Sequence, residues 1–189
     1  MIFEPLAIPD VVLVTPKVRA DARGAFSETF RASLFAEIGF DRPVAQENLA
    51  RTRRAGVVRG LHFQRPPCEQ EKLLQVISGV IFDVAVDIRP ASPTLGRWVG
   101  VRLDATEPRQ LFIPRGFAHG YLTLSNDCAL VYKTGAYYAP EAEAGLRWND
   151  PALGIDWPAP APEVTAHPRD LDWPDFQAVM ASLTAQTQG

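Results

Sequence analysis

The feature that most constrains the fold is a series of short apolar runs, each of strand length and closed by Pro, Gly or Asp: VVLVTPKV, GVVRGLHFQ, KLLQVISG, VIFDVAVDI, RWVGVRL, RQLFIP, HGYLTL and ALVYKTGAYYA. Val, Ile, Phe and Tyr dominate them, and VIFDVAVDI is apolar at nearly every position, as a strand in the middle of a sheet is. The 17 prolines interrupt the chain too often for long helices. Runs of this length and spacing predict an all-β sandwich or barrel.

The helical period appears in two places only. In FRASLFAEIGF, Phe30, Leu34, Phe35 and Ile38 mark one face and Gly39 is placed as a C-terminal cap. Near the end, Phe176, Val179, Met180 and Leu183 follow the i, i+3, i+4, i+7 pattern after Pro174, which predicts a helix over 174–185 packed by its apolar stripe. Between the last strand and that helix, NDPALGIDWPAPAPEVTAHPRD reads as a proline-rich ordered loop anchored by Trp148 and Trp157. With no repeat and no change of composition, residues 1–189 read as one domain.

A formal charge of -3 and a pI near 5.6 argue against nucleic acid or an anionic membrane surface as partner, because both need a basic field. The start, MIFEPLAIPDVVLV, has no basic leader and is broken by prolines, unlike a signal peptide, and no window holds the roughly 18 unbroken apolar residues of a spanning helix. Cys68 and Cys128 read as free thiols of a cytoplasmic protein.

There are three histidines, His62, His119 and His167. A lone strand histidine is more often structural than catalytic, but His62 lies near Arg59 and Lys72, and His119 sits in IPRGFAHG, where Gly116 and Gly120 bracket a turn into another strand. Nearby cations weaken a histidine as a base, so a working His62 demands an acidic partner. A metal is disfavoured: Pro114, Gly116 and His119 fit the second of two metal motifs found in small β-barrels, but the first requires His-x-His and here Gln64 follows His62. The cluster Arg51, Arg53, Arg54 and Arg59 reads either as a solvated loop or as a phosphate grip. Tyr132, Tyr137 and Tyr138 read as core or rim aromatics, or as a phenolic proton donor and a stacking platform.

DARG (21–24), QEN (46–48), RGLHFQ (59–64), EKLLQV (71–76), IPRGFAHG (113–120), YKTGAYYAP (132–140) and GLRWNDPALGIDWP (145–158) together resemble the dTDP-4-dehydrorhamnose 3,5-epimerase family, in order and across almost the whole chain. The resemblance implies a jelly-roll, cupin-like β-barrel with a few short peripheral helices and a C-terminal helix. It implies no metal or cofactor, and a homodimer with exchanged N-terminal strands. The implied substrate is a nucleotide sugar, dTDP-4-dehydro-6-deoxy-D-glucose, inverted at the two carbons flanking its C4 ketone. Carried onto this chain, His62 is the base, Asp170 holds its imidazole, Tyr132 returns a proton from the opposite face and Lys72 stabilises the enolate oxygen. Arg23, Phe26, Glu28, Gln46, Asn48, Arg59, Lys72, His119, Glu143 and Arg169 surround the nucleotide sugar and Tyr138 stacks on thymine, with Arg23 and Glu28 acting across the dimer. Arg169 stands where the family often has Lys, and Cys68 departs from the usual loop residues. The same residues would serve an epimerase acting at one carbon; a metal-dependent cupin oxygenase and a non-catalytic sugar-nucleotide binding module are the more distant alternatives.

Strict alternation puts Arg59, Leu61 and Phe63 on one face of their strand and Gly60, His62 and Gln64 on the other. The resemblance wants Arg59 and His62 at one ligand. A bulge or twist at Gly60, or an Arg59 side chain wrapped around the barrel mouth, reconciles the two.

Overall fold

The computed structural model describes residues 1–158 and 164–187. In chain order the strands are β1 (Ile2–Pro5), β2 (Val12–Thr15), β3 (Val18–Asp21), β4 (Gly24–Ser27), β5 (Gln46–Thr52), β6 (Val57–Gln64), β7 (Lys72–Ser78), β8 (Val80–Asp87), β9 (Trp98–Asp104), β10 (Gln110–Ile113), β11 (Phe117–Thr123), β12 (Cys128–Thr134), β13 (Glu143–Gly145) and β14 (Thr165–Ala166). Among the described residues three α-helices accompany them, α1 (Ala32–Ala36), α2 (Pro168–Leu171) and α3 (Phe176–Thr187), with one 3-10 turn at Pro140–Ala142.

Two sheets make the jelly roll. The first runs β1-β2-β10-β7-β12-β5 and the second β13-β6-β11-β8-β9, with β14 added beside β6. Leu74, Val76 and Leu130 of the first sheet meet Ile81, Ala85, Leu103 and Tyr121 of the second in the inter-sheet core. Each fully buried aliphatic side chain there contributes on the order of 1.5–3 kcal/mol.

The outer faces explain the continuous apolar character of VIFDVAVDI. Val84 and Val86 of β8, with Leu61 and Phe63 of β6, face away from that core and are covered by Val179 and Leu183 of α3, Trp148 and Trp157. Both faces of β8 are therefore buried. On the first sheet, Phe35 and Phe40 close over Val12, Val14, Leu73 and Phe112.

Every apolar run contributes a strand, with differences that have local causes. VVLVTPKV divides at Pro16, so β2 ends at Thr15 and the next strand, starting at Val18, pairs only with β4. The last helix begins at Phe176, later than its predicted start at Pro174; the Pro174 carbonyl instead accepts from Arg147 N at 2.9 Å. Gly39 carries φ +102° just past α1, the conformation its capping role requires. Trp157 Nε1 donates to the Trp148 carbonyl at 2.9 Å, so both tryptophans anchor the proline-rich stretch, of which residues 159–163 lie outside the described residues. Both cysteines are free thiols. No helix is long and apolar enough to cross a membrane among the described residues.

Candidate active site

The site grows out of an irregularity in β6. His62 pairs with His119 of β11, but Arg59 pairs with Tyr121, so β6 spends three steps where β11 spends two. That extra residue is the bulge, and it brings both Arg59 and His62 onto the wall of one cavity. Gly60 has φ +131°, and a Cβ there would lie 2.5 Å from Gly120 Cα. Gly120 is constrained in turn, since a Cβ on it would sit 2.7 Å from the Arg59 carbonyl oxygen.

The cavity, about 380 Å³, lies between β5, β12 and β7 of one sheet and β6 and β11 of the other. That is a small-molecule volume. His62 Nε2 lies 2.6 Å from Asp170 Oδ1, and Asp170 also accepts from Gly60 N and Trp173 Nε1, each at 3.3 Å. Burial alone would raise the Asp170 carboxyl; the bonds from His62, Gly60 and Trp173 outweigh it and hold the group below its ordinary range. A carboxylate only accepts, so His62 carries its proton on Nε2 and keeps the Nδ1 lone pair free. Asp170 reaches this place from α2, whose N-terminus is capped by His167 accepting from Arg169 N at 3.2 Å. His167 is therefore structural.

Lys72 Nζ donates to the His62 carbonyl at 3.5 Å. Burial pulls its pKa down to about 8, against the opposing pull of Asp83 and Glu143. His119 Nε2 lies 3.0 Å from both oxygens of Asp83, and burial lowers the histidine while raising the acid. Tyr132 lines the facing sheet, its phenol raised by burial despite the nearby charge of Arg59.

At the mouth, Gln46 donates to Asn48 Oδ1 at 2.8 Å and accepts from Tyr138 N at 2.9 Å. Tyr138 OH and Arg169 Nη1 both donate to Glu143 Oε2, at 2.9 and 3.1 Å. Arg59, Lys72 and Arg169 thus give an acidic chain a locally cationic cavity suited to a small anion. Gln64 is committed elsewhere: it donates to the Cys68 and Tyr137 carbonyls and accepts from Ala139 N. Among the described residues no three His, Cys, Asp or Glu side chains converge as metal ligands. The donor set is that of proton transfer: two imidazoles on two separate carboxylates, a phenol and an ammonium.

The sequence profile of the dTDP-4-dehydrorhamnose 3,5-epimerase family matches residues 5–178. The chain belongs to that family. The Salmonella typhimurium dTDP-4-dehydrorhamnose 3,5-epimerase is 48% identical over 168 residues, covering 88% of this chain and 91% of the relative. A Legionella pneumophila dTDP-6-deoxy-D-glucose-3,5-epimerase, solved in complex with dTDP-4-keto-L-rhamnose, superposes with a TM-score of 0.89 at 41% identity, covering 96% of this chain and 95% of that one. A Streptomyces niveus dTDP-4-dehydrorhamnose 3-epimerase is 42% identical over 173 residues, covering 91% of this chain and 82% of the relative.

Of the residues singled out in the sequence by likeness to this epimerase family, Gln46, Asn48, Arg59, His62, Lys72, His119, Tyr132, Tyr138, Glu143 and Arg169 line the cavity, with Asp170 directly behind His62. Arg23, Phe26 and Glu28 do not. They lie on or beside the β3–β4 hairpin, which pairs with neither sheet; Phe26 is 70% exposed, Arg23 is bound to Asp21 and Glu28 to Arg31. Of the arginine cluster only Arg59 lines the cavity, its Nη2 held by the Arg51 carbonyl at 3.0 Å, and Arg51, Arg53 and Arg54 are exposed. Sequence reasoning missed Asp83 and Trp173. The signal for Asp83 was a carboxylate in the centre of a strand that is apolar at every other position before its last, Asp87; Trp173, whose ring packs where a Cβ on Gly145 would come within 2.2 Å, left no such signal.

Proposed function

We propose that this chain epimerises dTDP-4-dehydro-6-deoxy-α-D-glucose at C3 and C5, giving dTDP-4-dehydro-β-L-rhamnose, with no metal or cofactor in the reaction. The observation that carries the reading is the 2.6 Å contact between His62 Nε2 and Asp170, which leaves a free imidazole lone pair in a cavity whose facing wall carries Tyr132. His62 Nδ1 removes the proton next to the ketone, charge moves to O4, and Tyr132 delivers a proton to the other face of the carbon. A general base and a general acid each contribute about 10²–10⁴ in rate. The Lys72 ammonium stabilises the enolate oxygen more than the neutral ketone, so it acts on the transition state. Arg59 and Arg169 hold the diphosphate, Gln46, Asn48, His119 and Glu143 position sugar and nucleotide, and Tyr138 stacks on thymine.

The working form is a cytoplasmic homodimer in which the hairpin of each protomer completes the other's site. This reading gives Arg23, Phe26 and Glu28 a task that their exposure and distance from their own cavity deny them within one chain.

The likeness to a 3-epimerase favours one second reading, inversion at a single carbon. Incubation with the 4-keto sugar nucleotide in heavy water, followed by NMR, separates the two. Deuterium at C3 and C5 with formation of the L-rhamno product supports double inversion, deuterium at one carbon supports the second reading, and no exchange at either refutes both.

A further inference from the structure

The carboxylate of the second carboxylate–histidine pair, Asp83, has no part in the reaction just described. Asp83 lies mid-way along β8 on its inner face, flanked by Ile81 and Ala85 of the inter-sheet core, and is fully buried. A charge there is costly unless compensated. Both its oxygens address His119 Nε2 at 3.0 Å, and among the described residues the carboxylate has no other hydrogen bond and no ion pair with Lys or Arg. Lys72 is its counterpart. The ammonium has one hydrogen bond, to the His62 carbonyl, and no ion pair among the described residues, which leaves N–H donors free for a ligand.

The inference rests on the epimerase reading and deepens it. We propose that Asp83 is a positioning residue of this site: it fixes His119 as the Nε2–H tautomer, whose Nδ1 accepts a hydrogen bond from the sugar, and it supplies the negative field that keeps Lys72 an ammonium in a desolvated cavity. The tautomer follows from valence, since a carboxylate can only accept, and the neutral ring then keeps its lone pair on Nδ1. The field follows from arrangement. Lys72 and His119 line one cavity and Asp83 of β8 stands 3.0 Å behind His119 Nε2, so that Asp83 and Glu143 of β13 both favour the ammonium, while His62 and His119 face it from β6 and β11 and Arg59 and Tyr132 line the same cavity. Glu143 already receives Tyr138 and Arg169, so Asp83 has the less divided charge.

Asp83→Asn separates the two tasks, because an amide oxygen can still accept from His119 Nε2 while the charge is gone. The sign is definite. Losing the anion lowers the Lys72 pKa further from about 8, so the alkaline limb of kcat moves to lower pH. Each unit of that movement removes roughly tenfold of kcat on the limb, while KM changes much less. Asp83→Glu, which keeps the charge, should restore the limb toward the wild-type position. Titration of the Lys72 Cε resonance reads the same shift with no substrate present. In the wild type, ¹⁵N NMR of the three histidines should show His119 protonated on Nε2, a measurement that stands even where Asp83→Asn fails to fold. A Lys72 titration unmoved in folded Asp83→Asn, or His119 protonated on Nδ1 alone, overturns the proposal. Absence of solvent exchange in the wild type would overturn the epimerase reading instead and leave the titration result standing.

Discussion

His62 and His119 stand directly opposite each other across the β6–β11 ladder, and each turns Nε2 onto its own buried carboxylate, Asp170 for one and Asp83 for the other. The two pairs differ in what surrounds them. Asp170 also accepts from a backbone amide and an indole and is held ionised, whereas Asp83 has His119 alone. In the proposed reaction the first imidazole serves as the base and the second as a fixed acceptor.

Asp170→Asn should leave the fold intact and remove the base. The amide oxygen can stay with Gly60 N, which turns the amide N–H toward His62 Nε2 and favours the tautomer with its proton on Nδ1, the atom that must be free. The deuterium exchange rate in heavy water is expected to fall about 10²–10⁴-fold, the usual contribution of a general base. An exchange rate within a factor of about two of wild type would remove Asp170 from the mechanism.

Gly60→Ala should cost stability as well as activity. The added Cβ meets Gly120 Cα at 2.5 Å, and φ +131° is closed to alanine without strain. Overpacking of this kind costs about 1–3 kcal/mol, to be read as a fall in midpoint in urea. Gly24→Ala is the control: its φ is also positive, but nothing lies within 4 Å of the added Cβ, so only the backbone part of the loss remains.

The bulge shows how far the sequence reached. Alternation alone separates Arg59 from His62, and only the family resemblance placed both at one ligand, so the irregularity was legible as a conflict between two rules. The strand β5 was not legible as an apolar run. Its inward residues Gln46 and Asn48 serve a polar cavity, and outside it shows Glu47, Leu49 and Arg51, so hydrophobic patterning has nothing to detect. Asp83 was hidden for the opposite reason, since six apolar residues made its strand read as pure core. Patterning finds where water is excluded, and a substrate cavity inside a sandwich breaks it on the strands that form the walls.

Acid should loosen the turn after β8. Asp87 is fully buried and accepts from Arg89, Ser92 and Thr94; burial alone would raise its carboxyl, but these bonds bring it down to about 2. A depressed acid stabilises the fold above its unfolded pKa, near 4, and that contribution is lost as pH falls from there through about 2. It is on the order of 2 kcal/mol. Arg89→Met should lower the melting temperature at neutral pH and flatten its dependence between about pH 4 and 2; an unchanged pH dependence would detach Asp87 from acid stability.

Mixing variants tests whether the hairpin serves a second protomer. Arg23→Ala and His62→Asn should each be weakly active alone. In a mixed dimer, the protomer that keeps His62 receives Arg23 from its partner, so one site of the two is intact. Co-refolding the two proteins should restore activity well above their sum. No recovery in verified mixed dimers would mean that Arg23 acts within its own chain or not at all.

Tyr132→Phe separates exchange from inversion. The base on β6 can still remove a proton and return solvent deuterium to the same face, because His62, Asp170 and Lys72 are untouched. The group on β12 that would protonate the other face is gone. Substrate recovered after incubation in heavy water should therefore carry deuterium with retained configuration, while the L-rhamno product falls by about 10²-fold or more. Burial raises the Tyr132 phenol, so in the wild type it remains a proton donor across the neutral range and inversion should not be limited by its ionisation there. Inverted product forming at the wild-type rate in Tyr132→Phe would move the acid to another residue of the cavity.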